Sequence, residues 1–471
     1  MVFSSIGFLF IFLPALLILY FIIPRRFREA RNVVLLGFSL FFYAYGGPRF
    51  LLVMLASIFL NYVCGLFVSN RYGEKTRRFF LLAAIVLGLG LLGWFKYARF
   101  FAETINALGT SLPLPAVTLP IGISFFTFHG LSYIIDVYRG TAQPMKNPLK
   151  VALYISLFPQ LVAGPIVRYS TISDHLTVRH ENLADFSEGA MRFVFGLAKK
   201  MLLANTLGVI ADTVFARPDG GLSTGLAWLG ALAYTGQIYF DFSAYSDMAL
   251  GLGRMFGFHF LENFNYPYIA ASITDFWRRW HISLTTWFRD YVYIPLGGNR
   301  CGRWKNVRNI VIVWLLTGFW HGAAWTFIAW GLYFCVLLLG EKFLWGKLLE
   351  KSPSPLRHIY TLLLVVIGWV FFRADTFGQA FHFIAVMFGG GAPESGQTLY
   401  LLYEYWPELL VSVIAAMPVK NAVQKRLEKA PSISGRLLLA AGPRLLALFL
   451  FALSYLKLVV GSFNPFIYFR F

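Results

Sequence analysis

Hydrophobic and polar positions alternate along this chain in long blocks. Apolar runs at 4–24, 32–46, 49–69, 79–96 and 118–137 are separated by short charged or Gly/Pro-containing connectors. A bilayer core of ~30 Å needs about 20 apolar residues in helical form, so these runs predict five membrane-embedded helices, with 32–46 short for a full crossing. Beyond residue 150 the pattern becomes irregular. Segment 151–167 is interrupted by Pro159, Gly164 and Pro165, which predicts a broken or re-entrant helix packed against protein. Segment 187–215 carries Lys199-Lys200 at its middle, so an interfacial or bent element is expected there. Then come 223–257, a polar-aromatic block at 262–308, and the run 310–340. The last apolar segments are 358–372, 378–388, 404–417 and 436–461. Two flexible connectors stand out, Lys351–Pro355 and Gly389–Ser395. No repeat of fixed period is visible, which disfavours an inverted-repeat transporter.

Composition supports the membrane reading. The 471 residues are 58% hydrophobic and 13% charged, with mean hydropathy +0.63, which excludes an ordinary soluble domain. Aromatics, led by 49 Phe, suit lipid-facing helices and interfacial belts. The net charge of +19 is better explained by basic loops facing anionic lipid than by nucleic acid. Connectors Arg25–Arg31, Arg71–Arg78 and Arg139–Lys150 are basic, whereas Gly46–Arg49 and 100–117 hold one Arg and one Glu between them. That parity places the basic connectors, and Lys420–Lys429, in the cytoplasm, with the N-terminus outside. The first run lacks a basic leader and a small-residue cleavage site, and is expected to stay as a helix. Cys64, Cys301 and Cys335 have no metal-ligand spacing and give no disulfide framework.

The chemistry-bearing candidates lie in three blocks. From Ile310 to Gly340 the chain has no Asp, Glu, Lys or Arg, yet it contains His321. Intramembrane ionisable groups face a bundle interior or a wet cavity, and imidazole titrates near neutrality. As one straight helix this run would be about 46 Å long, so a break or tilt is expected, with the His321–Gly322 step as its place. Thr317, one turn earlier, could fix the imidazole tautomer, and Gly318 and Gly322 form a small-xxx-small pair for close packing. A histidine hydrogen-bonded to a neighbouring helix is the structural alternative.

The second block is Phe276–Asn299. Read as one helix, it places Trp277, His281, Thr285 and Arg289 near one face, with Arg278 a turn before the histidine. Three Trp among charges describe an interfacial helix; His281 flanked by arginines would also suit an anionic ligand. The third block, 234–254, holds Asp241 and Asp247, spaced to share faces with Tyr245 and Ser243 respectively. Arg254 is a candidate partner. A buried polar network and direct catalysis both fit. His129 reads as a core histidine. No nucleophile elbow, P-loop, dinucleotide fingerprint or zinc spacing occurs, which favours direct transfer with a histidine as general base.

These residues resemble a known family. The start MVFSS, Leu119-Pro-Ile-Gly-Ile-Ser-Phe-Phe-Thr-Phe128, Val162-Ala-Gly-Pro-Ile-Val-Arg168 and Asp241-Phe-Ser-Ala-Tyr-Ser-Asp247 are similar to the membrane-bound O-acyltransferases, within their bacterial alginate O-acetylation branch. FWRRWHISLTTWFRDYVYIPLGGNR, TGFWHGAAWTFIAWG and the closing Phe463–Phe471 complete the match. The resemblance implies an all-α polytopic fold of about eleven spanning helices plus short re-entrant or interfacial ones, around a central funnel. It implies one membrane domain, 1–471, with N-terminal helices 1–140, a catalytic core 141–345 and C-terminal helices 346–471. It makes His321 the catalytic histidine and His281 the second active-site position. Arg278, Arg289, Asp241, Asp247 and Trp320 are candidates for substrate binding. No bound cofactor or metal is implied. Acetyl-CoA is the expected cytoplasmic donor substrate, and a separate extracytoplasmic acetyltransferase the expected partner, acting on a polysaccharide at the bacterial cytoplasmic membrane. D-alanyl transferases of teichoic acid synthesis are the neighbouring chemistry, and lack the 294–300 ending IPLGGNR. A proton-coupled transporter is the competing class.

Overall fold

The computed structural model of the chain describes residues 1–217, 221–394, 396–428, 433–461, 464 and 467. Among these residues the regular structure is helical, with one isolated bridge between Ser223 and Ala392. Six helices are long and apolar enough to cross a membrane. Contacts divide the chain into two compact units, Met1–Phe193 with Met248–Leu261, and Val194–Asp247 with Glu262–Phe471.

The first unit begins with a π turn, Phe8–Phe12, that runs into α1 (Leu13–Ile22). It continues with α2 (Arg28–Tyr45), α3 (Pro48–Phe67), α4 (Glu74–Asn106), α5 (Ile123–Arg139) and α6 (Pro148–Ser156). Pro48 opens α3 at a position where its missing N–H costs nothing. Asn147 caps α6 by accepting from the Leu149 N–H at 2.9 Å. The interrupted segment 151–167 is broken as expected. After α6 the backbone turns extended at Leu157 and makes only the short helix Phe158–Leu161. That piece is buried in protein: Phe158 lies 5.5 Å from Phe12 and 5.7 Å from Phe42 by ring centroid. The Phe158 N–H donates to Ser39 Oγ at 3.2 Å.

A polar cluster closes this unit. Arg28, Arg31 and Arg179 surround the Glu181 carboxylate. Arg179 also donates to Asn32 Oδ1 at 2.7 Å, to the Tyr20 hydroxyl at 2.9 Å and to the Phe256 carbonyl at 3.0 Å. Burial would raise the Glu181 carboxyl, but hydrogen bonds from Arg28 and Tyr20 and the charge of Arg28 outweigh it and hold it at about 2. Two arginines of a connector that read as free basic charge are therefore largely committed to one carboxylate.

The helix α7 (Leu183–Phe215) passes into the second unit. It is one continuous 33-residue helix, containing a π turn at Lys199–Ala204. The lysines that suggested an interfacial element are matched by carboxylates instead. Lys199 Nζ lies 2.7 Å from Asp247, and Lys200 Nζ lies 2.7 Å from Asp241, both aspartates on α8 (Thr224–Met255). The Lys200–Asp241 pair is buried, 4% and 2% exposed by side chain. Arg254 is not its partner; it pairs with Asp185 and Glu188 in the first unit. Asp241 also accepts the Ile467 N–H at 2.8 Å. The rest of the closing motif Phe463–Phe471, apart from Asn464, lies outside the described residues, as does Ser395 at the end of the Gly389–Ser395 connector.

The unit continues with α9 (Ile273–Arg279), α10 (Ile282–Phe288), α11 (Arg303–His321) and α12 (Trp325–Gly340). Then follow α13 (Ser354–Arg373), α14 (Phe377–Ala385), α15 (Gln397–Ala415), α16 (Val419–Glu428) and α17 (Ile433–Val460). The long run 310–340 is two helices, not one. It breaks after His321, where Gly322 is extended (φ −166°, ψ 157°).

Candidate active site

The hairpin made by α11 and α12 places His321 at its turn. Two glycines let the backbones approach. A Cβ on Gly318 would sit 2.6 Å from the Phe327 carbonyl oxygen, and one on Gly322 would sit 2.1 Å from the Phe327 ring. His321, 7% exposed, ends α11 inside an aromatic box. Its ring centroid lies 5.0 Å from Trp320, 5.0 Å from Trp330 and 5.3 Å from Phe372. The Thr317 hydroxyl is not its orienting group; it donates to the Val313 carbonyl at 2.7 Å.

His281 arrives from a second break. Phe276–Asn299 is not one continuous helix, because α9 ends at Arg279, Trp280 is extended, and His281 adopts a left-handed conformation (φ 44°, ψ 53°). Such a conformation is uncommon outside glycine and is held by surrounding structure, often at functional sites. The break separates the residues that helical spacing aligned. Trp277 turns into an aromatic cluster, 4.8 Å from Trp314 and 4.9 Å from Phe334. Arg278 and Arg289 are exposed, the latter paired with Asp290 at 2.7 Å. Glu341 supports the start of α9 by accepting from the Ile273 N–H at 2.6 Å and the Thr274 N–H at 2.8 Å.

His281 and His321 are brought together around Trp320. The His281 ring is 1% exposed and lies 5.8 Å from Trp320 and 4.6 Å from Phe242. Trp320 thus touches both imidazoles, His281 at 5.8 Å and His321 at 5.0 Å by ring centroid. His281 Nδ1 contacts Asn263 Oδ1 at 3.1 Å, while His281 Nε2 has no partner among the described residues. The indole N–H groups of Trp277 and Trp330 are likewise buried without one. Buried polar atoms are normally satisfied, so the free His281 Nε2 and the Trp330 indole N–H, whose ring lies 5.0 Å from His321, leave this site room for the polar groups of a ligand.

Of the predicted residues, the structure gathers His321, His281 and Trp320. It places Asp241 and Asp247 in lysine pairs, and Arg278 and Arg289 on the exterior. Sequence reasoning missed Asn263, which is fully buried. The one available signal was an amide between a carboxylate and an aromatic in Glu262-Asn-Phe-Asn-Tyr-Pro267. His129 is a buried core residue, 5.8 Å from Tyr154 by ring centroid. Among the described residues no cluster of His, Cys, Asp or Glu could hold a metal ion.

Comparison with known proteins bears on the family of the whole chain. The signature of the membrane-bound O-acyltransferase family matches residues 114–373, a range that includes both histidines. The chain is 43% identical to the probable alginate O-acetylase AlgI of Azotobacter vinelandii, over 100% of each chain. It is 35% identical to a peptidoglycan O-acetyltransferase of Helicobacter pylori, covering 83% of this chain and 80% of that one. A teichoic acid D-alanyltransferase of Bacillus subtilis is 31% identical, over 56% of this chain and 69% of that one.

Proposed function

The chain belongs to the membrane-bound O-acyltransferase family, and from that premise we propose that it moves an acetyl group for O-acetylation of a cell-surface polysaccharide, alginate or a related polymer. The observation that carries this is the pair of buried imidazoles, His281 and His321, meeting at two backbone breaks beside Trp320.

In this reading His321 is the general base. It takes the proton of an acceptor hydroxyl as the oxygen attacks the thioester carbonyl, and the proton then passes to the departing thiol. Cations are favoured at a helix C-terminus, and His321 closes α11 at that end. The aromatic box excludes water, which would otherwise hydrolyse the thioester. The donor is acetyl-CoA from the cytoplasm, and a separate extracytoplasmic acetyltransferase receives the group. About eleven spans, an outward N-terminus and a place in the bacterial cytoplasmic membrane complete the proposal.

The test is acetyl transfer by the purified protein in nanodiscs, from labelled acetyl-CoA. His321→Ala is expected to insert and fold normally but to lose transfer; retained transfer would overturn the assignment. The similarity to a D-alanyltransferase supports a second reading, and release of D-alanine rather than acetate onto the acceptor would select it. The ending Ile294–Arg300 favours acetyl by resemblance.

A further inference from the structure

Resting on that acyltransferase reading, we infer that Asn263 is a positioning residue that fixes the tautomer of His281, so that His281 offers its substrate a hydrogen-bond acceptor. The argument begins at a group whose polarity is never ambiguous. The backbone N–H of Ser283 points at the Asn263 side chain at 3.1 Å, so the atom it meets must be the amide oxygen. The Ser283 hydroxyl donates to the same oxygen at 2.9 Å. The opposite end of the amide donates from Nδ2 to Ser246 Oγ at 3.0 Å, as a correctly oriented amide should.

With the oxygen identified, the imidazole follows. His281 Nδ1 lies 3.1 Å from that oxygen and 3.4 Å from Ser283 Oγ. The Ser283 hydroxyl makes its shorter contact, 2.9 Å, as a donor to the amide oxygen. Both neighbours of Nδ1 therefore present lone pairs to it, and Nδ1 carries the hydrogen. In the neutral ring Nε2 then bears a lone pair and no proton. Among the described residues, Nε2 is a buried atom with no hydrogen-bond partner. The left-handed backbone at His281 and the packing of its ring against Phe242 hold this presentation.

The consequence concerns chemistry. A neutral His281 in this tautomer cannot donate to a developing oxyanion on the thioester carbonyl. It can accept from an O–H or N–H, so the group it binds is the acceptor hydroxyl or an amide N–H of the donor's thioester arm. His281 and His321 thereby have different tasks, one orienting a substrate hydrogen and the other removing a proton.

The test uses the full-length protein in nanodiscs with 15N-labelled histidine, the His281 signals being identified by their loss in His281→Gln. Wild type should show a protonated Nδ1 and an unprotonated Nε2 at His281. Asn263→Ala should mix the tautomers and lower kcat about 10- to 100-fold, the size seen when partners orienting a metal-binding histidine are removed, with KM for the acetyl donor little changed. Asn263→Asp retains an oxygen for both the Ser283 N–H and Nδ1–H, and should recover most of kcat. A wild-type Nε2–H tautomer would overturn the inference, as would full kcat in Asn263→Ala or a folded Asn263→Asp no better than it. The tautomer readout is independent of turnover, so it stands apart from the fate of the His321 assignment.

Discussion

Two of the buried polar clusters among the described residues are completed in opposite ways. Around Glu181 in the first unit, three guanidiniums, an amide, a phenol and backbone carbonyls engage one another, Arg31 Nη1 by its charge at 3.1 Å from the carboxylate and the others also by hydrogen bonds. Around His281 in the second, the network runs through Ser246, Asn263 and Ser283 and stops at Nε2. A closed network holds architecture. An open one, left with a lone pair on a ring packed between Phe242 and Trp320, is arranged for something that binds.

If that contrast is right, the largest effect of substitution at the open cluster should fall on rate and not on stability. His321→Ala should cut transfer by about 10²–10⁴-fold, the usual worth of a general base, while the thermal midpoint in nanodiscs barely moves. A variant that lost both together would erase the distinction. The closed cluster should behave in reverse. Glu181→Ala strands Arg28, Arg31 and Arg179 and should cost about 3–5 kcal/mol, read as a lower thermal midpoint, with turnover per folded molecule retained.

The Lys200–Asp241 pair sharpens the comparison from a third position. Lys200→Met leaves a buried carboxylate alone and should cost about 3–5 kcal/mol, and adding Asp241→Asn should restore most of it. The asparagine oxygen still accepts the Ile467 N–H. Non-additivity in this double-mutant cycle would show the pair to be structural; lost transfer in a stable double variant would instead draw Asp241 into the site.

The smallest effect is in pH. Glu181 is held at about 2 in the folded protein against an ordinary 4.5. Its stabilisation is therefore complete above about 4.5 and lost as pH falls from there toward 2. Thermal midpoints between these limits should decline in wild type, and Glu181→Gln should flatten that part of the curve.

What the sequence disclosed depended on whether the information was local. The break at His321–Gly322 was legible because the uncharged run was too long for one crossing and contained a suitable glycine. The break at His281 was not. Helical periodicity continues through Trp280 and His281 without a proline or glycine, and a left-handed φ at a histidine is imposed by tertiary contacts. The partners of Lys199 and Lys200 lie 48 and 41 residues away on α8, so local pattern could only mark the lysines as out of place. Asn263 was invisible for the same reason, since its importance comes from what it touches. The family resemblance supplied the two histidines that geometry then gathered, but it did not say how either ring was held.

The π turn in α7 has a consequence for insertions and deletions. A π turn accommodates one residue more than an α turn while the helix continues on either side. Losing one residue between Lys199 and Ala204 would let that turn relax to α geometry, with both flanks near their present seats. Losing one elsewhere in α7 would rotate everything beyond it by about 100°, carrying the buried stripe Leu207, Ile210, Ala211 and Val214 away from its neighbours. The helix thus has one short stretch where its length is negotiable, and that stretch is also where its two lysines are neutralised.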